Sequence, residues 1–198
     1  MSVTASQVKE LRDRSGVGMM DCKKALTESN GNIEKAFEIL RKNGIAKAQK
    51  KSGRDAKEGS IVSYIHPGAK LGVLLELNCE TDFVANTDDF KNLANDICMH
   101  IAATSPISIK SEDVDSTIIE KEKEIYFEQA KDSGKPDNII EKMVEGRINK
   151  FYQENVLLEQ NFVKDPSKTI ENLVTDKVGV LGENIIISKF SRFQLGEK

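Results

Sequence analysis

The sequence has no tryptophan, only two histidines, three cysteines and four prolines among 198 residues, and the scarcity of cysteine and histidine bears directly on function. Cys22, Cys79 and Cys98 are odd in number and none is spaced C-x-x-C. A disulfide framework therefore does not fit, and a reducing cytoplasmic compartment does. With so few histidines the stock of general bases is thin, and there is neither a G-x-S-x-G elbow nor an H-E-x-x-H pair. The G-x-x-x-x-G-K-[ST] loop is missing as well, so the chain offers no phosphate cradle and implies no nucleotide cofactor of its own. No apolar run approaches a membrane span, and the opening MSVTASQVKELRDR has neither the basic n-region nor the apolar h-region of a secretory leader. Positive charge is not in excess either: a net charge of −3 argues against a general nucleic-acid binder, whose footprint is a basic stripe.

What is present is charge of both signs, 31% of the chain, against 38% hydrophobic residues. That balance suits a helix-rich protein with much exposed helical surface, long enough for one ordinary domain and a small accessory one. The chain holds no internal repeat and no low-complexity tract.

The first stretch reads as three short helices. Thr4 and Gln7 form a capping-box pattern ahead of Val8 and Leu11, and Ser15-Gly16-Val17-Gly18 separates that helix from one carrying Met20, Ala25 and Leu26. Asn32 is placed to cap a third helix with the stripe Ile33, Ala36, Phe37 and Leu40, which Asn43-Gly44 is expected to end. Val17, Gly18, Met19 and Met20 serve either as core and turn or as an adaptable surface. From Arg41 to Lys57 the chain is basic, read as a solvated helix end and linker, with the domain boundary near Ser52 or Gly53.

Strands follow at Gly59 to His66 and Leu71 to Cys79, joined by Pro67-Gly68-Ala69-Lys70. In the second, Leu71, Val73, Leu75, Leu77 and Cys79 alternate onto one face. The alternation stops at Thr81-Asp82-Phe83-Val84, and from Asp89 the apolar Phe90, Leu93, Ala94, Ile97 and Ile101 recur at helical spacing. Two readings of that acidic turn stay open. Either Thr81 or Asp82 caps the next helix while Phe83 folds into the core, or Phe83 stands at an exposed tip as an anchor for a partner's pocket.

Ser105-Pro106 ends that helix, and Ile107 to Thr117 reads as an unpatterned surface connection. Two helices are expected at Ile118 to Asp132, closed by Gly134, and Asn138 to Asn155, opened by Pro136-Asp137. The second carries the stripe Ile140, Met143, Val144, Arg147, Ile148, Phe151 and Tyr152, with Arg147 either snorkelling from a core edge or paired across an interface. Ser167 is a candidate cap for a helix through Ile170, Leu173, Val174 and Val178, and ENIIISKFSRFQL reads as a last strand. The pattern is α+β: a three-helix module, then a small, mainly antiparallel sheet packed against helices. Cys98 and His100 do not make a metal site, because a helical step of roughly 100° sets them about 200° apart; the reading is a buried thiol and a flank histidine.

NCETDFVA, read with LRDRSGVGMMDCKKALTESNGNIEKAFEILRKNG before it and LLEQNFVKDPSKTIENL after it, resembles the translation elongation factor Ts family, and the likeness covers nearly the whole chain. The resemblance implies a ubiquitin-associated-like domain over residues 1–53 and a core and dimerisation domain over residues 54–198. It implies a guanine-nucleotide exchange factor for elongation factor Tu, not an enzyme, with no metal or cofactor of its own. Thr81, Asp82, Phe83 and Val84 would dislocate Mg²⁺ from the partner, and Val17, Gly18, Met19, Met20, Lys23 and Lys51 would add contacts. With no room for a second core copy or a coiled coil, the chain looks like the short form, which works as a homodimer.

Two other classes compete. Gly179-Val180-Leu181-Gly182 matches the G-x-x-G of an RNA-binding KH domain, although its place before a strand reads as a helix C-cap. Asp82 with Asp88 or Asp89 would be the acid/base pair of a small hydrolase, although acidic turns are more often helix caps.

Overall fold

The computed structural model describes residues 3–131 and 135–197. The chain divides into two units, one of Met1–Val62, Leu75–Asp96 and Asn172–Phe190, the other of Ser63–Leu74, Ile97–Glu171 and Ser191–Lys198.

The first unit opens with α1 (Ala5–Ser15), α2 (Met19–Glu28) and α3 (Ile33–Gln49). Thr4 and Gln7 make the full reciprocal capping box, and Asn32 caps α3 by accepting from the Lys35 N–H at 2.9 Å. Val8, Leu11, Cys22, Ala25, Leu26, Ala36 and Leu40 form one buried cluster, so the stripes read from the sequence do face each other. The expected stop at Asn43-Gly44 is wrong: α3 runs on to Gln49. The physical reason is a close helix crossing. A Cβ added at Gly179 would stand 3.0 Å from the Gly44 Cα, so this glycine pair is there for backbone contact.

Strands β1 (Glu58–Ile65) and β2 (Leu71–Cys79) form the expected hairpin, and β5 (Ile186–Gln194) completes a small antiparallel sheet of order β1-β2-β5. In β2 the alternation holds: Val73, Leu75, Leu77 and Cys79 are buried. After the single-turn helix α4 (Asp82–Ala85) comes α5 (Asp88–Thr104), whose Phe90, Leu93, Ala94, Ile97 and Ile101 are all buried.

In the second unit α6 (Ser116–Lys131) packs beside α7 (Asp137–Asn155). The expected closure at Asp132 and Gly134 lies outside the described residues. Arg147 is resolved as a contact between these helices: its guanidinium lies 5.6 Å from the Tyr126 ring centre and donates to Gln129. The segment after α5 is not a loose connection, since Ser108 is buried and bridges to Val156. A short hairpin of β3 (Asn161–Phe162) and β4 (Asp165–Thr169) has no signature in the sequence pattern. It takes Ser167 away from the cap expected for α8 (Ile170–Leu181); the Ser167 hydroxyl donates instead to Asp165 at 2.6 Å.

His100 is fully buried, not on a flank. Its Nδ1 accepts from the Val163 N–H at 3.3 Å, which leaves the proton on Nε2, 2.9 Å from Gln160 Oε1. Burial holds its pKa below the ordinary 6.5. An unfolded chain therefore gains a proton at this residue before the folded one does, and stability is lost as pH falls below about 6.5. Urea midpoints at about pH 7.5 and about pH 5.5 should show this loss, and His100→Gln, though less stable, should show a shallower pH slope over that interval. Equal slopes would place the titration elsewhere.

Candidate functional site

The site is the bend between β2 and α5. A strand that buries Leu75, Leu77 and Cys79 delivers Glu80 and Thr81 at a fixed height, and Thr81, in extended conformation, caps α4 by accepting from the Val84 N–H at 3.4 Å. So the capping half of the first reading is right. Its other half is not: Phe83 is 82% exposed, while Ala85 turns inward. Solvent would not draw a phenyl ring outward, so the path of the capped backbone sets where Phe83 stands.

The bend is fastened to the turn between α8 and β5 by two glutamates. Glu183 Oε2 accepts from the N–H groups of Glu80 (3.1 Å) and Thr81 (3.0 Å), and its Oε1 accepts from the Thr81 hydroxyl at 2.7 Å. In return Glu80 accepts from the Asn184 N–H at 2.7 Å and pairs with Arg54 at 3.3 Å. The Asn184 N–H, with help from Arg54, holds the Glu80 carboxyl below its usual range. Cys79 donates to the Thr81 carbonyl at 3.1 Å, and burial pushes its thiol pKa up, which suits packing and not reactivity.

Asp82 is exposed and Val84 half-buried, so Thr81 to Val84 present one ring and one carboxylate outward from a pinned backbone. Met19 and Met20 are exposed at 56% and 78%, which decides for surface over core, whereas Val17 packs against the three-helix cluster. Gly18 and Lys23 are exposed. Lys51 is half-buried and donates to the Gly182 carbonyl at the end of α8. Sequence reading misses Glu80, Glu183, Asn184 and Arg54. Only their partnership reveals them, and it joins residues about a hundred positions apart.

As for the rival chemistries, Asp89 is ion-paired with Lys177 at 2.5 Å. Gly182 (φ +77°) caps α8 through a bond from its N–H to the Val178 carbonyl, and Gly179 lies within the helix, so the G-x-x-G string is not an open loop. Among the described residues there is no cluster of three or more metal-ligating side chains and no helix long and apolar enough to cross a membrane.

The class the fold defines is α+β, with an exposed aromatic on a turn anchored by two glutamates. Comparison with known proteins names the group. The family model described as Elongation factor TS matches residues 4–197. An elongation factor Ts from Fervidobacterium nodosum is 60% identical over 197 residues, covering 100% of both chains. Those from Thermosipho melanesiensis and Geotalea daltonii are 58% and 56% identical, over 98% and 100% of this chain and 100% and 91% of theirs. The chain belongs to the elongation factor Ts family, and its place is in translation elongation.

Proposed function

We propose that the chain is the guanine-nucleotide exchange factor of elongation factor Tu in the cytoplasm, and that it works through protein contact without a hydrolytic site or cofactor of its own. The observation that carries this reading is the exposed Phe83 ring on its capped turn. In a P-loop GTPase, backbone N–H groups and a lysine grip the β-phosphate while Mg²⁺ neutralises its charge. A ring driven between helices of that partner displaces the elements that carry the Mg²⁺ ligands, and the uncovered phosphate charge then favours release. Phe83 is the wedge, Asp82 its polar neighbour, and Thr81 and Val84 set its direction. Met19, Met20 and Lys23 add an adaptable apolar and basic contact, with Val17, Gly18 and Lys51 at its margin.

Burying a phenylalanine contributes about 1.5–3 kcal/mol, and coupling between two ligands of one protein is typically about 1–3 kcal/mol. Wedge and flanking contacts together are thus of the size needed to weaken a nucleotide's grip substantially. Coupling is reciprocal, so each nucleotide, GDP or GTP, weakens binding of the factor as much as the factor weakens binding of that nucleotide, and the factor leaves once GTP enters. Stopped-flow release of fluorescent GDP from elongation factor Tu tests the reading: catalytic amounts of the chain should accelerate it, and no acceleration would refute the proposal.

Residues 1–53 are taken as the ubiquitin-associated-like module and 54–198 as the core and dimerisation domain. The hairpin end of β1 and β2, the last residues of β5 and the residues just after it expose Ile65, Leu74, Phe193 and Leu195 around one apolar hollow. Such a patch suits a second copy of the chain in a two-fold pairing. Sedimentation at micromolar concentration should give a dimer, and Leu74→Glu should shift it to monomer. A wild-type monomer would overturn this assignment.

A further inference from the structure

We propose that Glu183 is a positioning residue for nucleotide exchange: its carboxylate fixes the Thr81 hydroxyl and two consecutive N–H groups so that the turn bearing Phe83 is preformed. This rests on the exchange-factor reading and extends it to a residue far from the wedge in sequence. The Thr81 hydroxyl has one proton, and it goes to Glu183 Oε1 at 2.7 Å, which leaves an oxygen lone pair to accept from the Val84 N–H at 3.4 Å. The chain of bonds Val84 N–H to Thr81 Oγ1 to Glu183 Oε1 therefore has one direction. Remove the carboxylate and the hydroxyl is free to rotate out of the cap.

Glu183 Oε2 meanwhile takes the N–H groups of Glu80 and Thr81, the last two donors before the helix. Bonds to an ionised acceptor are about twice as strong as neutral ones. The helix they hold, Asp82–Ala85, is a single turn, too short to persist without outside support. Glu183 is itself held in place, half-buried between Gly182, whose positive φ turns the chain out of α8, and Asn184, which is buried, donates its N–H to Glu80 and reaches the Arg54 carbonyl at 2.8 Å. A ring that must enter a pocket without first ordering its own backbone loses less free energy on docking.

In Glu183→Gln the amide presents an NH₂ where one carboxylate oxygen accepted. GDP release at sub-saturating chain concentration should slow about tenfold, and amide hydrogen exchange at Thr81 and Val84 in the free chain should quicken about as much. In a Phe83→Ala background the same change should add no more than about twofold, because Glu183 acts through the ring it places. Thr81→Val should slow release like Glu183→Gln, and Thr81→Ser should restore it to within about twofold. Glu183→Gln matching wild type in release, or losses that multiply in the double variant, would overturn the role. Should Glu183→Gln fail to fold, the Thr81 pair decides, and Thr81→Ser no better than Thr81→Val overturns it. A wild-type chain that leaves GDP release unchanged overturns the exchange-factor reading, and this role with it.

Discussion

Phe83→Ala is expected to slow GDP release from elongation factor Tu by about one to two orders of magnitude, the loss of roughly 1.4–2.8 kcal/mol at a hot spot. The same change should leave the melting temperature within about 2 °C of wild type, since exposed substitutions alter stability by about 0.5 kcal/mol or less. These two outcomes belong together because of where the ring is. At 82% exposure it contributes almost nothing to its own core, so its removal is felt only when a partner's pocket stands empty. A variant that melts far below wild type yet exchanges normally per folded molecule would mean that the ring braces this chain instead. Phe90, seven residues on and fully buried, is the internal control: Phe90→Ala leaves a core cavity and belongs to the class that costs about 3–5 kcal/mol.

The contrast between those two phenylalanines explains what the sequence can tell. Phe90 falls in register with Leu93, Ala94, Ile97 and Ile101, and the helical period alone places it inside. Phe83 belongs to no period, so only the path of the backbone decides its burial. The same holds elsewhere: β2, α5 and the capped ends of α1 and α3 rest on local patterns a few residues long, and all are found where the pattern puts them. Gly44 misleads for the opposite reason. A glycine late in a helical run signals a stop locally, but here its role is set by Gly179, far along the chain. His100 and the Glu183 clamp are likewise illegible, because a buried polar side chain is intelligible only through the partners that satisfy it: Gln160 and Val163 for the first, Glu80 and Thr81 for the second.

Among changes that add atoms instead of removing them, a large loss of stability is expected at Gly59→Ala. Gly59 adopts φ +142°, a region that L side chains rarely enter, and a Cβ built there would lie 2.2 Å from the Leu77 carbonyl oxygen and 2.7 Å from the Asn78 Cα. Neither obstacle is a flexible side-chain end; both are the backbone of β2, buried on its inner face through Leu75, Leu77 and Cys79. A strained dihedral costs about 1–3 kcal/mol and forced overpacking about as much again, so a loss of about 3 kcal/mol and a melting temperature lower by roughly 6–12 °C are expected. The start of β1 must move, because β2 is held by its neighbours: Asn78 donates to the Glu58 carbonyl at 3.2 Å and receives a bond from Ser188. If β1 is scaffold only, GDP release per folded molecule at about 20 °C should stay within about twofold of wild type, since Glu183 and not Glu58 or Gly59 holds the bend. A variant that melts like wild type would show that β1 accommodates the methyl group by a shift it tolerates. A stable variant with slowed release would instead trace the wedge's position to the pairing of β1 with β2, one step further from the ring than Glu183.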